Sequence, residues 1–196
     1  SELVSGGDNE KAAEIFEKIY DDLDKENKSV MYNVTLKWAE AEKILGKNEN
    51  AADLAVKALE YAKNTGEKCE AEILAAKAMT ALNRAKERLE KLLPSISEES
   101  SDFIKYASEV YCLLGAAFEN EPEKSTDYFE KGLAEAKARE NIPTEEYCDF
   151  LKKASETAAK LNKYTKATEY LSETALIVRR DYGENTEFAD ILAKAG

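Results

Sequence analysis

The sequence contains no histidine, and it has one tryptophan, three prolines and three cysteines in 196 residues. Without histidine, the side chain that most often acts as a general base near neutral pH is missing. Histidine-containing catalytic triads and the common catalytic zinc sites are excluded with it. The phosphate-binding patterns GxGxxG and GxxxxGK[ST] do not occur either. We therefore expect no catalytic residues, no metal site and no cofactor.

The cysteines are few and scattered. Cys69, Cys112 and Cys148 are odd in number, far apart in the sequence and unaccompanied by histidine. Neither a disulfide framework nor a zinc site fits that pattern. We interpret them as reduced, half-buried helix residues of an intracellular, cytoplasmic protein.

Positive charge is scarce as well. The chain has 28 Lys and Arg against 40 Asp and Glu, a net charge of −12. Such a surface repels nucleic acid and anionic lipid, so we expect the partner to be a basic protein or peptide. The densest basic stretch, residues 84–91, alternates with acids and is typical of a solvated helix face. The longest apolar run, residues 110–118, is far too short to insert across a membrane.

Ala, Glu, Lys and Leu dominate the composition, while Gly and Pro fall mostly at the ends of periodic segments, so the sequence predicts an all-α fold. The expected helices lie near 8–23, 29–46, 48–64, 66–80, 81–93, 101–119, 122–141, 144–162, 163–182 and 186–195.

Glycine and proline mark the expected boundaries of these helices. Gly46, Gly66 and Gly183 are expected at left-handed helix ends, and Pro122 and Pro143 at helix starts. Residues 66–93 contain no breaker at their centre, which leaves one helix or two as open alternatives.

A pattern of small and large side chains recurs at intervals of 34 to 42 residues, with two helices in each interval. Each copy of this stripe has an inner small residue, a larger or matching one four later and a third three after that. The copies are Ala12, Phe16, Ile19; Ala51, Ala55, Ala58; Ala85, Leu89, Leu92; Ser125, Phe129, Gly132; and Ala167, Leu171, Thr174.

Residues 6–20, 45–62, 118–136 and 161–176 resemble the turn and second helix of tetratricopeptide repeats. The first helices resemble that family through residues 111–118 and 151–158, where large and small side chains alternate at helical spacing. The resemblance implies a right-handed α-solenoid of antiparallel helix pairs forming one repeat domain over residues 1–196. Residues 175–196 resemble the longer repeats of kinesin-light-chain type. We interpret both ends as cuts within a longer array.

In tetratricopeptide-like arrays the first helices line a concave groove, so the resemblance implies that their outward side chains meet the ligand. With the stripes taken as inward, we assign fourteen residues to this face, and acids outnumber bases among them by seven to three. They are Asn33, Leu36, Glu40, Lys43, Glu67, Glu70, Leu74, Lys77, Glu109, Cys112, Glu119, Asp149, Lys152 and Glu156.

The leading hypothesis is a non-catalytic scaffold or adaptor that binds a basic peptide or helix in an acidic concave groove. One alternative is a helical substrate-recognition or assembly lobe of a larger enzyme or complex. Another is a solenoid that associates with copies of itself.

Overall fold

The computed structural model describes residues 6–81, 84–97, 102–139 and 142–195. Within these ranges the chain forms ten α-helices and one 3₁₀ helix and has no strand, which confirms the all-α class. The α-helices are α1 (Gly6–Asp22), α2 (Lys28–Ile44), α3 (Asn48–Tyr61), α4 (Thr65–Ala81), α5 (Lys86–Ser97), α6 (Ala107–Ala117), α7 (Pro122–Arg139), α8 (Thr144–Lys160), α9 (Tyr164–Tyr182) and α10 (Thr186–Ala195). The 3₁₀ helix is Asp102–Tyr106.

Most of the glycine and proline signals are confirmed. Gly46 and Gly183 have φ of +74° and +76°, Pro122 opens α7, and Pro143 lies directly before α8. Gly66 is the exception, because it lies in the first turn of α4 and has no positive φ.

The start of α4 is set by a side chain rather than by Gly66. The backbone N–H of Glu67 donates to Asn64 Oδ1 over 2.9 Å, so an asparagine caps the helix. The preceding helix ends without a left-handed residue, since Ala62 is extended.

Residues 66–93 form two helices rather than one. Arg84 and Ala85 lie between α4 and α5 and are not helical, and the Arg84 N–H donates to the Met79 carbonyl over 2.8 Å. Helix α5 runs past its expected end and contains Pro94. Proline has no N–H to donate to the carbonyl of Glu90, and the helix ends within one turn.

The chain divides into two compact units, Ser1–Ile104 and Lys105–Gly196, called unit 1 and unit 2 below. In unit 1 each of α1 to α4 packs against the helix that follows it, and α2 also packs on α4. In unit 2 each of α6 to α9 does the same, and α6 also packs on α8. The helices therefore pack in adjacent pairs, which is consistent with a helical repeat array.

Four of the five stripes are buried. They are Ala51, Ala55 and Ala58 on α3; Ala85, Leu89 and Leu92 at α5; Ser125, Phe129 and Gly132 on α7; and Ala167, Leu171 and Thr174 on α9. The small-and-large pattern therefore located the packing faces of these second helices.

The stripe assigned to α1 is wrong by one position. Ala13 and Tyr20 are its buried residues, whereas Ile19 is 39% exposed. Helix α1 packs through Tyr20, whose ring centroid lies 5.9 Å from that of Trp38 and whose hydroxyl is 2.9 Å from that of Tyr61. These contacts rotate α1 away from the expected register.

The cysteines are reduced, as expected, but they are buried rather than half-buried: Cys69 and Cys112 are 0% exposed and Cys148 is 6% exposed. Separately, none of the helices in the described ranges has the length and apolar character needed to cross a membrane.

Candidate binding surface on the first helices

Helices α2 and α4 of unit 1, and α6 and α8 of unit 2, are called the first helices. In unit 1, α2 and α4 are tied together by Tyr32, which is 2% exposed. Its hydroxyl lies 2.8 Å from the carbonyl of Glu67 and 3.1 Å from Oε2 of Glu70. Glu70 itself is exposed, so this contact holds its carboxylate at the surface of the pair.

Three other residues predicted for this face in unit 1 differ in their exposure to solvent. Asn33 is exposed, and its Nδ2 donates to the Ser29 carbonyl over 3.0 Å. Glu40 is partly exposed and pairs with Lys37 at 2.6 Å. Leu74 is half-buried and packs against the core formed by Ala39, Ala55 and Ala75.

Leu36 is a correction to the predicted face. It is 7% exposed and packs with Tyr32, Ala58 and Ala71 in the core between α2, α3 and α4. A partner on the surface would not reach this side chain in the structure.

In unit 2, Asp149 and Glu156 are exposed on α8, and Glu109 is half-buried on α6. Lys152, the base predicted for this part of the face, forms ion pairs with acidic side chains. Its Nζ lies 2.7 Å from Glu187 of α10 and 3.7 Å from Asp149. Burial acts to lower the pKa of Lys152, but its hydrogen bond and charge interaction with Glu187, together with Asp149, raise it overall.

Cys112 is the second correction. It is 0% exposed and faces α7, where a methyl group at Gly132 would lie 2.5 Å from its Sγ. Burial, with a smaller contribution from the charges of Glu146 and Glu109, raises the pKa of the thiol. Cys112 therefore belongs to the helix contact and is neither a ligand contact nor a reactive thiolate.

Elsewhere in unit 1, the densest basic stretch is neutralised by acids. Three ion pairs join Arg84 to Glu49 at 2.5 Å, Arg88 to Glu72, and Lys91 to Glu87 at 2.8 Å. The surface hollow that they line is about 330 Å³. Its paired charges do not offer an anion site, in keeping with a solvated helix face.

Sequence reasoning missed a groove of about 610 Å³ between α7, the start of α8 and α9 in unit 2. Glu173 lies at its wall, accepting from Tyr147 Oη at 2.7 Å and from Lys137 Nζ at 2.7 Å. Burial and the hydrogen bond to Glu173 raise the pKa of Tyr147. These three residues come from three helices at unrelated spacings, so no local pattern could have indicated them.

In the part of the chain that the structure describes, no three His, Cys, Asp or Glu side chains are grouped so that they could hold a metal ion. The first helices expose Asn33 and Glu70 in unit 1, and Asp149 and Glu156 in unit 2.

No family model matches the chain, and no curated protein matches it. Among solved structures, the chain is similar to the helical protein in the crystal structure of BtubC (BKLC) from P. vanneervenii. The similarity has a TM-score of 0.65 at 15% sequence identity and covers 91% of this chain and 77% of that chain. At this identity the likeness shows the helical fold alone.

Proposed function

We propose that the chain is a non-catalytic scaffold or adaptor whose first helices bind a basic peptide or helix. The observation that carries the proposal is the side-by-side packing of α2 on α4 and of α6 on α8, with carboxylates exposed on those helices. A segment lying across two neighbouring first helices would meet Glu70 in unit 1 or Glu156 in unit 2.

The finer architecture under this proposal is a right-handed, tetratricopeptide-like solenoid. Two observations support it: the buried stripes recur on α3, α5, α7 and α9, and within each unit the two first helices touch, α2 on α4 and α6 on α8. Among the described residues, that arrangement leaves one side of each first helix without a covering helix. We take this side to be the concave one.

The sign of the surface supports a cationic ligand. Glu70 in unit 1 and Glu156 in unit 2 are exposed carboxylates, whereas Lys152 is paired with both Glu187 and Asp149. Exposed charges of one sign speed encounter with an oppositely charged partner and set its orientation, and salt screens that effect. Binding should therefore weaken as ionic strength rises.

A direct test titrates fluorescent Lys-rich and Glu-rich peptides of equal length at low and physiological salt. The proposal predicts preference for the Lys-rich peptide, and the preference should shrink at the higher salt. Equal binding of both peptides, or preference for the Glu-rich one, would contradict it.

The surface is then located with charge-reversal variants. Glu70→Lys with Glu156→Lys changes one exposed first-helix residue in each unit and should weaken binding about tenfold, equivalent to about 1.4 kcal/mol. The matched control is Asp53→Lys with Asp127→Lys, which makes the same charge change at exposed positions of α3 and α7. Equal weakening in both double variants would show a general charge effect and no first-helix site.

A further inference from the structure

The groove between α7, the start of α8 and α9 lies within unit 2 and has no role in the proposed function. Its volume of about 610 Å³ is typical of small-molecule sites, which range from about 300 to 1,000 Å³. Part of its wall is apolar and consists of Ala136, Ile142, Leu176 and Ile177. Leu176 is 68% exposed. A ligand that covers this leucine would remove apolar surface from water, which favours binding.

The polar part of the wall is built around Glu173 of α9. Its Oε1 accepts a hydrogen bond from Tyr147 Oη of α8, and its Oε2 accepts one from Lys137 Nζ of α7, both over 2.7 Å. The Glu173 side chain is 28% exposed, whereas that of Lys137 is 58% exposed. Lysine also has a flexible four-carbon stem, so Lys137 is the partner that can move while Tyr147 keeps the carboxylate in place.

The charges in this groove are balanced. Its charged lining residues are Lys137, Glu173 and Arg180. The guanidinium of Arg180 donates to both carboxylate oxygens of Asp181, at 2.6 and 2.9 Å, so its charge is already compensated. One positive and one negative group therefore remain for a ligand, and they are paired with each other.

This balance limits the kind of ligand that the groove can bind. A cationic ligand that pairs with Glu173 displaces Lys137 and leaves its ammonium group without a partner. An anionic ligand that pairs with Lys137 leaves the partly buried carboxylate of Glu173 without its cation. In both cases one ion pair only replaces another, and little is gained. A zwitterion pairs with both side chains, so two ion pairs with the ligand replace one within the protein.

The spacing of the two charges defines the zwitterion further. Lys137 Nζ and Glu173 Oε2 are 2.7 Å apart, so the ligand must carry its ammonium and carboxylate groups side by side. A free α-amino acid has both groups on one carbon atom. A peptide terminus offers only one of the two.

We propose that the groove binds a free α-amino acid with an apolar side chain. The ammonium group takes the place of Lys137 Nζ on Glu173, whose other oxygen keeps its hydrogen bond from Tyr147. The carboxylate accepts from Lys137 and from the hydroxyl of Thr144, which also lines the groove. The apolar side chain covers Leu176.

This inference goes beyond the proposed function, and either one can fail alone. A zwitterion has no net charge, so its attraction to the acidic surface as a whole is small. Its affinity should change less than about twofold between low and physiological salt, whereas binding of a basic peptide should weaken.

The test is isothermal titration calorimetry with L-leucine and three analogues. Leucinamide lacks the carboxylate, N-acetylleucine lacks the ammonium group, and glycine lacks the apolar side chain. Leucine should bind with a dissociation constant below about 10 mM, and each analogue should bind at least about tenfold more weakly.

Variants locate the site. Glu173→Gln and Lys137→Met should each weaken leucine binding at least about tenfold, because each leaves one charge of the ligand unpaired. The matched control is Glu169→Gln, at an exposed glutamate of α9 that pairs with Lys166 at 3.9 Å and does not line this groove. It should bind leucine as the wild type does. Far-ultraviolet circular dichroism verifies that all three variants keep their helix content.

Three outcomes would overturn the proposal. The first is no binding of leucine to the wild type at about 10 mM. The second is binding of leucinamide or N-acetylleucine as tight as that of leucine, which would show a site for a single charge. The third is equal affinity of the Glu173→Gln and Glu169→Gln variants for leucine, which would place the site outside the groove.

Discussion

The α2/α3 hairpin of unit 1 and the α6/α7 hairpin of unit 2 bury equivalent stripes with different side chains. On α3 the stripe is uniformly small, and Ala55 packs with Ala39 and Ala75. On α7 a phenylalanine lies on a glycine, because a methyl group at Gly115 would be 2.7 Å from the ring of Phe129. The first hairpin packs through alanine methyl groups, and the second packs through a large ring that lies on a glycine.

The two hairpins therefore have the burial of the stripe in common and not the identity of its residues. A uniformly small stripe distributes the contact over many methyl groups, so that each contributes little. A ring on a glycine concentrates the contact in two positions and makes both hard to replace. Unit 2 should therefore respond more strongly than unit 1 to single substitutions in its stripe.

The largest expected difference comes from deleting the ring. Phe129→Ala should lower the free energy of unfolding by roughly 3–5 kcal/mol, because it removes a 1% exposed side chain and leaves a cavity. Ala55→Gly in unit 1 should cost only about 1–2 kcal/mol, from one methyl group and added backbone freedom. Urea unfolding of both variants would measure this, and equal costs would remove the distinction between the hairpins.

Adding a methyl group at Gly132 gives the next largest effect. The methyl group would lie 2.5 Å from Sγ and 2.7 Å from the backbone nitrogen of Cys112. That nitrogen cannot move away unless helix α6 moves with it. Gly132→Ala should therefore cost roughly 2–3 kcal/mol.

The control is Gly66→Ala in the first turn of α4, where the nearest atom is the exposed Asn64 Oδ1 at 3.2 Å. The methyl group favours helix but presses on the oxygen that caps α4, so this change should alter stability by no more than about 1 kcal/mol in either direction. Thermal unfolding of the two variants distinguishes them, and a Gly132→Ala protein as stable as the wild type would show that α6 and α7 can separate freely.

Raising the pH should distinguish the two units through the ionisation of their tyrosines. In unit 2, burial and the nearby Glu130, Glu169 and Glu173 raise the pKa of Tyr170 to about 12. An unfolded chain ionises tyrosine near pH 10, so it releases the proton first. The contribution of Tyr170 to stability is complete below about pH 10 and is lost as the pH rises toward 12.

Tyr170→Phe should therefore lose roughly 1 kcal/mol less stability than the wild type between pH 9 and pH 11. In unit 1 the pKa of Tyr61 is also raised to about 12, but the first cause there is the hydrogen bond that its hydroxyl donates to Tyr20. Tyr20→Phe should then advance the ionisation of Tyr61, measured as tyrosinate absorbance, and an unchanged titration would contradict that cause.

The smallest expected effects concern side chains that tie a helix to the next but one, Tyr32 from α2 to α4 and Lys152 from α8 to α10. Tyr32→Phe removes hydrogen bonds from α2 to Glu67 and Glu70 and should cost about 1 kcal/mol, with little dependence on salt. Lys152→Met removes a partly exposed ion pair between α8 and α10 and should cost less than about 1 kcal/mol. In 1 M salt, the stability loss caused by Tyr32→Phe should remain, and the loss caused by Lys152→Met should disappear. A Tyr32→Phe loss that changes with salt would contradict this assignment.

Periodicity and side-chain size were enough to predict the fold class, most helix boundaries and the buried faces of α3, α5, α7 and α9. These features are local, because one helix face and its glycine or proline ends determine them. Gly66 was misread since Asn64, two residues earlier, caps α4 instead.

Rotation of the first helices was harder to predict. Leu36 and Cys112 were placed outward, but their burial depends on Ala58 and Gly132 of other helices, which come close only after folding. The exposure of Asn33, Glu70, Asp149 and Glu156 agrees with the expected face. Ligand binding at these residues stays a prediction, because exposure alone does not select a partner.

The most direct test of the account maps a Lys-rich peptide onto the ¹⁵N-labelled protein by amide chemical-shift changes. The changes should be largest on α2 and α4 in unit 1 and on α6 and α8 in unit 2, around Asn33, Glu70 and Glu156. Changes concentrated on α3, α7 and α9, or equally small changes along the whole chain, would contradict it.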